Sequence, residues 1–186
     1  MRHCGTQTIE TERLTLRRLL SADADQMYEN WASDPAVTKY LRWDPHPNAA
    51  HTAELLRAWE TLYPNDDYYQ WCCVEKATGA VFGTISLFLD EEGWECGYCF
   101  GQRWWGKGYA TEAARAVVRY WFDTVGADEL SCCHALGNPA SGRVMQKAGF
   151  VYDHDAVYHK FDGTPVSCRC FLLTRERYEA LYHCEQ

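Results

Sequence analysis

No stretch of these 186 residues stays apolar for the ~20 residues that a membrane-crossing helix needs. The opening Met1-Arg-His-Cys-Gly also lacks the apolar core of a secretory leader. The expectation is a cytoplasmic protein with no membrane partner. Basic residues are scarce, with 18 Lys and Arg against 26 Asp and Glu, a formal charge of −8. Without a basic block to meet a phosphate backbone, nucleic acid is excluded as the main partner. The acidity suits a cationic amine substrate and equally serves solubility. No internal repeat, low-complexity run or linker interrupts the chain. Its length fits a single domain over residues 1–186 with a sizeable core.

A paired set of metal ligands is missing too. Of the ten cysteines, eight form close pairs: Cys72-Cys73, Cys132-Cys133, Cys96 with Cys99, and Cys168 with Cys170. All eight fall in segments that read as strands. Strand residues one or three apart point to opposite faces, so three of the four pairs cannot converge locally. No C-x-x-C is matched by a second knuckle, so no metal site is expected. The thiols read instead as small hydrophobes in a core.

The most informative stretch is Trp94–Glu112, WECGYCFGQRWWGKGYATE. It reads as a strand, Trp94–Phe100, then a glycine-punctuated loop, Arg103-Trp-Trp-Gly106-Lys-Gly108, opening into a helix. Ala110, Ala113, Ala114, Val117, Val118 and Trp121 recur at three and four residues, the period of one apolar helical face. Glu112, Arg115 and Arg119 fall on the other side. Glycines before a helix let the backbone approach a ligand, and the free N–H groups with the helix dipole favour a phosphate. Arg103 and Lys107 add positive charge. An ordinary strand-to-helix turn would use the same glycines for backbone freedom alone. The spacing is neither G-x-G-x-x-G nor G-x-x-x-x-G-K-[ST], which removes the dinucleotide-fold and P-loop readings.

The loop is similar to the R/Q-x-x-G-x-G/A segment of the GNAT N-acetyltransferases, and Glu95-Cys-Gly-Tyr98-Cys-Phe100 resembles that family's E-x-G-Y-x-L strand. Downstream, Asn138-Pro-Ala-Ser141-Gly-Arg-Val-Met-Gln-Lys147-Ala-Gly149-Phe150 resembles the N-x-x-S…K-x-G-F block of the RimJ/RimL-like branch. Thr11–Arg17, Tyr40–Trp43 and Phe171–Tyr178 also look like that branch, so the likeness spans nearly the whole chain. It implies acetyl-CoA as acetyl donor. The pyrophosphate would lie on Arg103, Trp104, Gly106, Lys107, Gly108, Tyr109 and Ala110. The pantetheine arm would lie against a bulge at Cys99, Phe100 and Gly101, with Asn138 and Ser141 near the thiol.

Taken in order, Arg13–Leu20 reads as a strand. Ser21-Ala-Asp23 caps a helix through Met27, Tyr28 and Trp31, broken by Asp34-Pro35, and Val37–Leu41 is a further helical turn. Asn48 caps a helix that ends at Pro64. Tyr69–Glu75 and Val81–Leu89 form a hairpin, followed by a turn at Asp90-Glu91-Glu92-Gly93 and the Trp94 strand. After the long helix come a strand at Glu129–Ala135 and a helix capped by Asn138 with Pro139 at its first position. A hairpin of Phe150–Val157 and Pro165–Leu173 and a short helix over Thr174–Cys184 close the chain. This order is an α/β mixed sheet, mostly antiparallel, with helices on both faces. With the family resemblance, it implies the GNAT fold, with the fourth and fifth strands parallel and splayed.

The resemblance implies direct transfer to a primary amine within a ternary complex. Many family members carry a tyrosine as the acid, but Met145 stands at that position. Ser141 is the candidate acid, or else a polar residue of a helix's first turn. Glu95 is the candidate base, or else an exposed strand glutamate, with His134 as alternative. Tyr40, Trp43, Tyr69 and Tyr158 are candidates for the acceptor cleft. The implied acceptor is a protein or peptide N-terminal amine, with a small amine as the alternative and an acetyl-CoA sensor without catalysis as a third reading. The protein would be a monomer or homodimer.

Overall fold

The computed structural model describes residues 1–90 and 92–183. Glu91 of the expected turn and Cys184 at the end of the expected last helix lie outside the described residues. Strands β1 (Ile9–Glu10), β2 (Leu14–Arg17), β3 (Tyr69–Glu75), β4 (Val81–Asp90), β5 (Gly93–Phe100), β6 (Glu129–Ala135), β7 (Val151–His159) and β8 (Pro165–Thr174) make one sheet. Its order is β1-β2-β3-β4-β5-β6-β8-β7. Every neighbouring pair is antiparallel except β5 and β6. The parallel pair is thus the fifth and sixth strands, because the two-residue β1 precedes the strand expected first. It pairs with β2 through Ile9 and Leu16 and is too short to carry an alternation signal.

Helices α1 (Ala24–Met27), α2 (Pro35–Thr38) and α3 (Ala49–Glu60) lie on one face, and α4 (Tyr109–Arg119), α5 (Pro139–Lys147) and α6 (Arg175–Tyr182) on the other. The Asp34-Pro35 break is also a start. The Asp34 carboxylate accepts from the Ala36 N–H at 2.8 Å, so the second turn begins at Pro35 and not at Val37. Asn48 caps α3 through the His51 N–H, and α3 ends at Glu60, before Pro64. The α4 helix continues into a wider, π-type turn over Tyr120–Val125 and is closed by left-handed Gly126.

With helices on both faces, adjacent strand residues are both covered. Cys72 and Cys73 are each fully buried, which alternation alone could not have told. Against α4, Trp121 packs on Tyr69, with ring centroids 5.6 Å apart and nearly perpendicular, and on Trp94 at 5.0 Å. Burying each such ring stabilises the fold by roughly 2–3 kcal/mol, and edge contacts add about 1 kcal/mol. Tyr69 therefore belongs to this core, its hydroxyl 3.0 Å from His3 Nδ1, and not to the acceptor cleft expected from the sequence.

Candidate active site

The parallel strands separate almost at once. Eight residue pairs join β4 to β5, whereas β5 meets β6 at the single pair Glu95–Ser131. The Gly101 N–H donates to the Phe82 carbonyl at 2.8 Å, so by alternation Cys99 and Gly101 turn their backbone groups towards β4. The residues between turn theirs the other way. The Trp94 carbonyl accepts from Ser131 Oγ and the Cys96 carbonyl from the Cys132 thiol. The backbones of Tyr98 and Phe100 then face the widening gap. The expected bulge at Cys99, Phe100 and Gly101 is absent, since the β4–β5 register is unbroken from Gly83–Phe100 to Asp90–Gly93. Gly101 is glycine because an added Cβ would overlap the Asn30 carbonyl.

At the mouth of the gap lies the glycine loop. Gly106 and Gly108 have φ of +73° and +84°, and Gly108 is the N-cap of α4 with no side chain closing the helix end. A Cβ built on Gly106 meets nothing within 4 Å, so its outer side is open. Arg13, just before β2, holds the loop in place. Its guanidinium donates to the Lys107 carbonyl at 3.0 Å, pairs with Glu112 at 2.6 Å and lies 4.4 Å over the Tyr109 ring. Glu112 also accepts from Thr11 Oγ1 and the Arg13 N–H, so it anchors α4 to the start of β2 and does not sit on a solvated face. These bonds hold its carboxyl below the usual range despite partial burial. A second tie comes from Glu75 at the end of β3, which accepts from the Tyr109 hydroxyl and from Trp104 Nε1 at 3.4 Å.

These ties redistribute the expected ligands. The hydroxyl of Tyr109 is turned to Glu75. Trp104 is buried and stacked on Phe82 at 5.3 Å, so it supports the loop from beneath. Arg103 and Lys107 are exposed and lie outside the cavity lining. Trp104, Gly106, Gly108 and Ala110 do line it, joined by Arg143 and Lys147 of α5. Sequence reading passed over Arg143. Its signal was the i, i+4 spacing to Lys147 in a helix that begins beside the gap.

The cavity measures about 750 Å³ and runs from this loop through the β5–β6 gap to the face covered by α1–α3. Glu95 and Cys99 point there, two residues either side of Gly97. Glu95 accepts from the Cys133 thiol at 3.3 Å, and loss of water around it pushes its carboxyl above the usual range. Cys99 bonds Thr84 Oγ1 at 3.2 Å, and burial pushes its thiol up to about 11, so it stays protonated at neutral pH. Ser141 sits across the sheet in the first turn of α5, its N–H bonded to the capping Asn138 Oδ1 at 3.3 Å. Its Oγ lies 2.9 Å from the Tyr98 hydroxyl, which also reaches the Ser141 carbonyl at 3.1 Å. Burial raises the Tyr98 phenol far above its normal value. A tyrosine thus stands beside the candidate acid, supplied by the strand and not by the helix where Met145 packs in the core.

His134 also lines the cavity; its Nδ1–H donates to the Ala135 carbonyl at 2.8 Å, and a Cβ at position 142 would come within 2.6 Å of its Nε2, so Gly142 lets α5 sit against the ring. It supports α5 from below. Tyr40, Trp43 and Tyr158 line the far end. There the β7–β8 hairpin folds over the opening: the Tyr158 hydroxyl donates to the Tyr40 carbonyl at 2.6 Å, and the Phe161 N–H to the Arg42 carbonyl at 2.8 Å. Among the described residues, no group of three or more His, Cys, Asp or Glu is placed to hold a metal, and no helix is long and apolar enough to cross a membrane.

Comparison with known proteins fits this geometry. Residues 13–151 match the model of the acetyltransferase (GNAT) domain. The chain is 29% identical over 180 residues to p20, an uncharacterized N-acetyltransferase of Bacillus licheniformis, covering 92% of this chain and 98% of p20. A microcin C7 self-immunity acetyltransferase, MccE, solved with acetyl-CoA and AMP, superposes with a TM-score of 0.77 at 15% identity, over 88% of this chain and 93% of that one. A ribosomal-protein-S5-alanine acetyltransferase from Vibrio fischeri superposes with a TM-score of 0.72 at 17% identity, over 91% and 97%.

Proposed function

We propose how this chain, which belongs to the GNAT family of acetyl-CoA-dependent N-acetyltransferases, divides its reaction among its own residues. Acetyl-CoA supplies the activated acetyl group. The uncapped N–H groups of α4, presented by Gly106 and Gly108, hold the pyrophosphate, with Arg143 and Lys147 flanking it. The open side of Gly106 and the absence of a side-chain cap fit a phosphate there. The backbone groups of Tyr98 and the N–H of Phe100 pair with the pantetheine arm in the β5–β6 gap, the Phe100 carbonyl already accepting from Trp105 Nε1 at 2.6 Å. The observation that carries the reading is this gap, opening after one residue pair directly onto the left-handed glycine loop.

On the acceptor side, Glu95 takes the proton that a primary ammonium must lose before its nitrogen can attack the acetyl carbonyl. Its raised affinity for protons suits that role. As the carbon–nitrogen bond forms and the carbon–sulfur bond breaks, the nitrogen gives up its second proton and the departing sulfur gains one. Coenzyme A thus leaves as the thiol, with Ser141 donating its hydroxyl hydrogen bond to that sulfur as it leaves. Tyr98 turns its own O–H towards Ser141 Oγ, so the proton deficit is shared along a two-hydroxyl relay. The acceptor is the N-terminal amine of a protein or peptide, reached from the solvent side of the β7–β8 hairpin, in a cytoplasmic enzyme formed by residues 1–186 that acts as a monomer or homodimer. The likeness to the S5-alanine acetyltransferase fold supports this acceptor. The roof of Tyr158 and Phe161 over Tyr40–Arg42 favours a second reading, a small amine enclosed by the hairpin.

Calorimetric titration with acetyl-CoA, followed by thiol release against peptides and small amines, tests both. Turnover on N-terminal peptides supports the first and turnover confined to small amines the second. Binding with no turnover would leave a sensor, and no binding would remove the loop assignment.

A further inference from the structure

The acceptor half of the cavity is rich in large apolar groups and poor in charge. Met27, Leu41, Trp43, Trp59, Phe88 and Tyr158 wall it, while its inner end carries the neutral Gln70, Thr84 and Ser86. Among the described lining residues, Glu95 is the one carboxylate. Two cations line the same end: Arg42, paired with Asp90 at 3.3 Å, and Lys39, which is exposed at the rim and lies 5.1 Å over the Tyr40 ring, away from Glu95's end of the pocket.

Resting on the transfer reading above, we propose that the acceptor is a primary amine on a carbon that also carries a large apolar or aromatic side chain and an uncharged carbonyl. That describes an N-terminal residue of the phenylalanine or leucine kind, or the amide of such an amino acid. Glu95 takes the ammonium, and Trp43, Trp59 and Met27 take the side chain. A polyamine would bring two or more ammonium groups into a space with one carboxylate, and the unpaired ones would lose water without recompense. A free amino acid would set its own carboxylate near Glu95, where Arg42 is already neutralised by Asp90. Glycine-like amines would leave the apolar wall unfilled. An apolar pocket separates ligands by roughly 10-fold or more for each methylene or two, so a whole ring gives a wide margin.

The test is calorimetric binding of amines to the protein saturated with coenzyme A, which holds no acetyl group to transfer. L-Phenylalaninamide is expected to bind at least tenfold more tightly than glycinamide, spermidine or free L-phenylalanine. Trp43→Ala should shrink the gap to glycinamide to within about threefold while coenzyme A affinity stays unchanged, and Leu41→Ala serves if that variant does not fold. A hexapeptide beginning with phenylalanine separates the sources. Binding as tight as the amide's identifies chain N-termini, and rejection identifies small amines. Glycinamide or spermidine binding as well as phenylalaninamide, or failure of both phenylalaninamide and the peptide to bind measurably, overturns the proposal. Thiol release from acetyl-CoA, run in parallel, keeps the two readings apart. Selective binding without turnover defeats the transfer mechanism and leaves the pocket assignment standing, whereas turnover confined to glycine-like or polycationic amines does the reverse.

Discussion

Replacing Arg13 by alanine probes how the cofactor loop is held, since the residue touches the loop and the helix but none of the reacting groups. The change removes a charge-assisted pair with Glu112 at 2.6 Å, a bond to the Lys107 carbonyl at 3.0 Å and the stacking on Tyr109 at 4.4 Å. Glu112 keeps Thr11 Oγ1 and the Arg13 backbone N–H, so it is not left stranded. The Arg13 side chain is 40% exposed, which discounts its ion pair to about 1 kcal/mol. The carbonyl bond and the ring contact add about 1 kcal/mol between them after competition with water. The sum of about 2 kcal/mol corresponds to a fall in Tm of roughly 4–8 °C for a domain of this size. The part that reaches the cofactor is the Lys107 carbonyl bond together with the contact on Tyr109. Losing roughly 1 kcal/mol of loop organisation weakens acetyl-CoA binding about fivefold. Differential scanning calorimetry and titration with acetyl-CoA measure the two effects, and kcat at saturating acetyl-CoA should hold within twofold. A fall in Tm with unchanged acetyl-CoA affinity would refute the loop-clamping argument, and an unchanged Tm would refute the energetics.

Gly106→Asp should fold, because a Cβ there meets no neighbour, yet lose acetyl-CoA binding by more than a hundredfold. Gly106→Ala, carrying the same backbone strain of about 1 kcal/mol without the charge, should bind within tenfold of the parent in the same titration. Tyr98→Phe should lower kcat about tenfold with acetyl-CoA affinity intact, and Ser141→Ala about a hundredfold. If the hydroxyls act in series, the double variant is no slower than Ser141→Ala, and additive losses in a kinetic cycle would separate them. For Glu95, whose carboxyl holds its proton above the usual range, the acidic limb of kcat/KM should sit above ~4.3 and vanish in Glu95→Gln. The linked stability runs oppositely. The folded state binds that proton more tightly than the unfolded chain, so the group's stabilisation is present at low pH and lost as pH rises through the folded value. Glu95→Gln should therefore raise Tm at pH 7 and not at pH 4 by thermal melts.

What could be read from the sequence was whatever is local. The glycine loop, the strand before it and the apolar face of α4 are neighbours in the chain. Their spacing therefore gave the glycine loop and the helix start, and Asn138 with Pro139 marked α5 in the same way. What could not be read was contact across distance. Arg13 and Glu112 lie 99 residues apart, and Glu75 and Tyr109 lie 34 apart, so the clamps on the loop left no periodic trace. Tyr98 stood in the recognised strand, yet its bond to Ser141 depends on how α5 is set across the gap. The expected bulge failed for a related reason. Alternation fixes which backbone groups face a neighbour only once the partner strand and its register are known, and these turn Cys99 and Gly101 towards β4.

The cysteines scattered through the sheet give this protein a built-in gauge of its own opening. Cys72 and Cys73 on β3, Cys96 on β5, Cys132 on β6 and Cys168 on β8 are reduced and almost wholly shielded, whereas Cys4, Cys99, Cys133 and Cys170 are partly accessible. A shielded thiol reacts with an alkylating reagent only while its strand is detached, so its labelling rate divided by the open thiol's known reactivity gives the opening constant and hence the free energy of detachment. Mass spectrometry of the labelled peptides would therefore map local stability strand by strand across the sheet, in the native sequence and without a single probe being introduced.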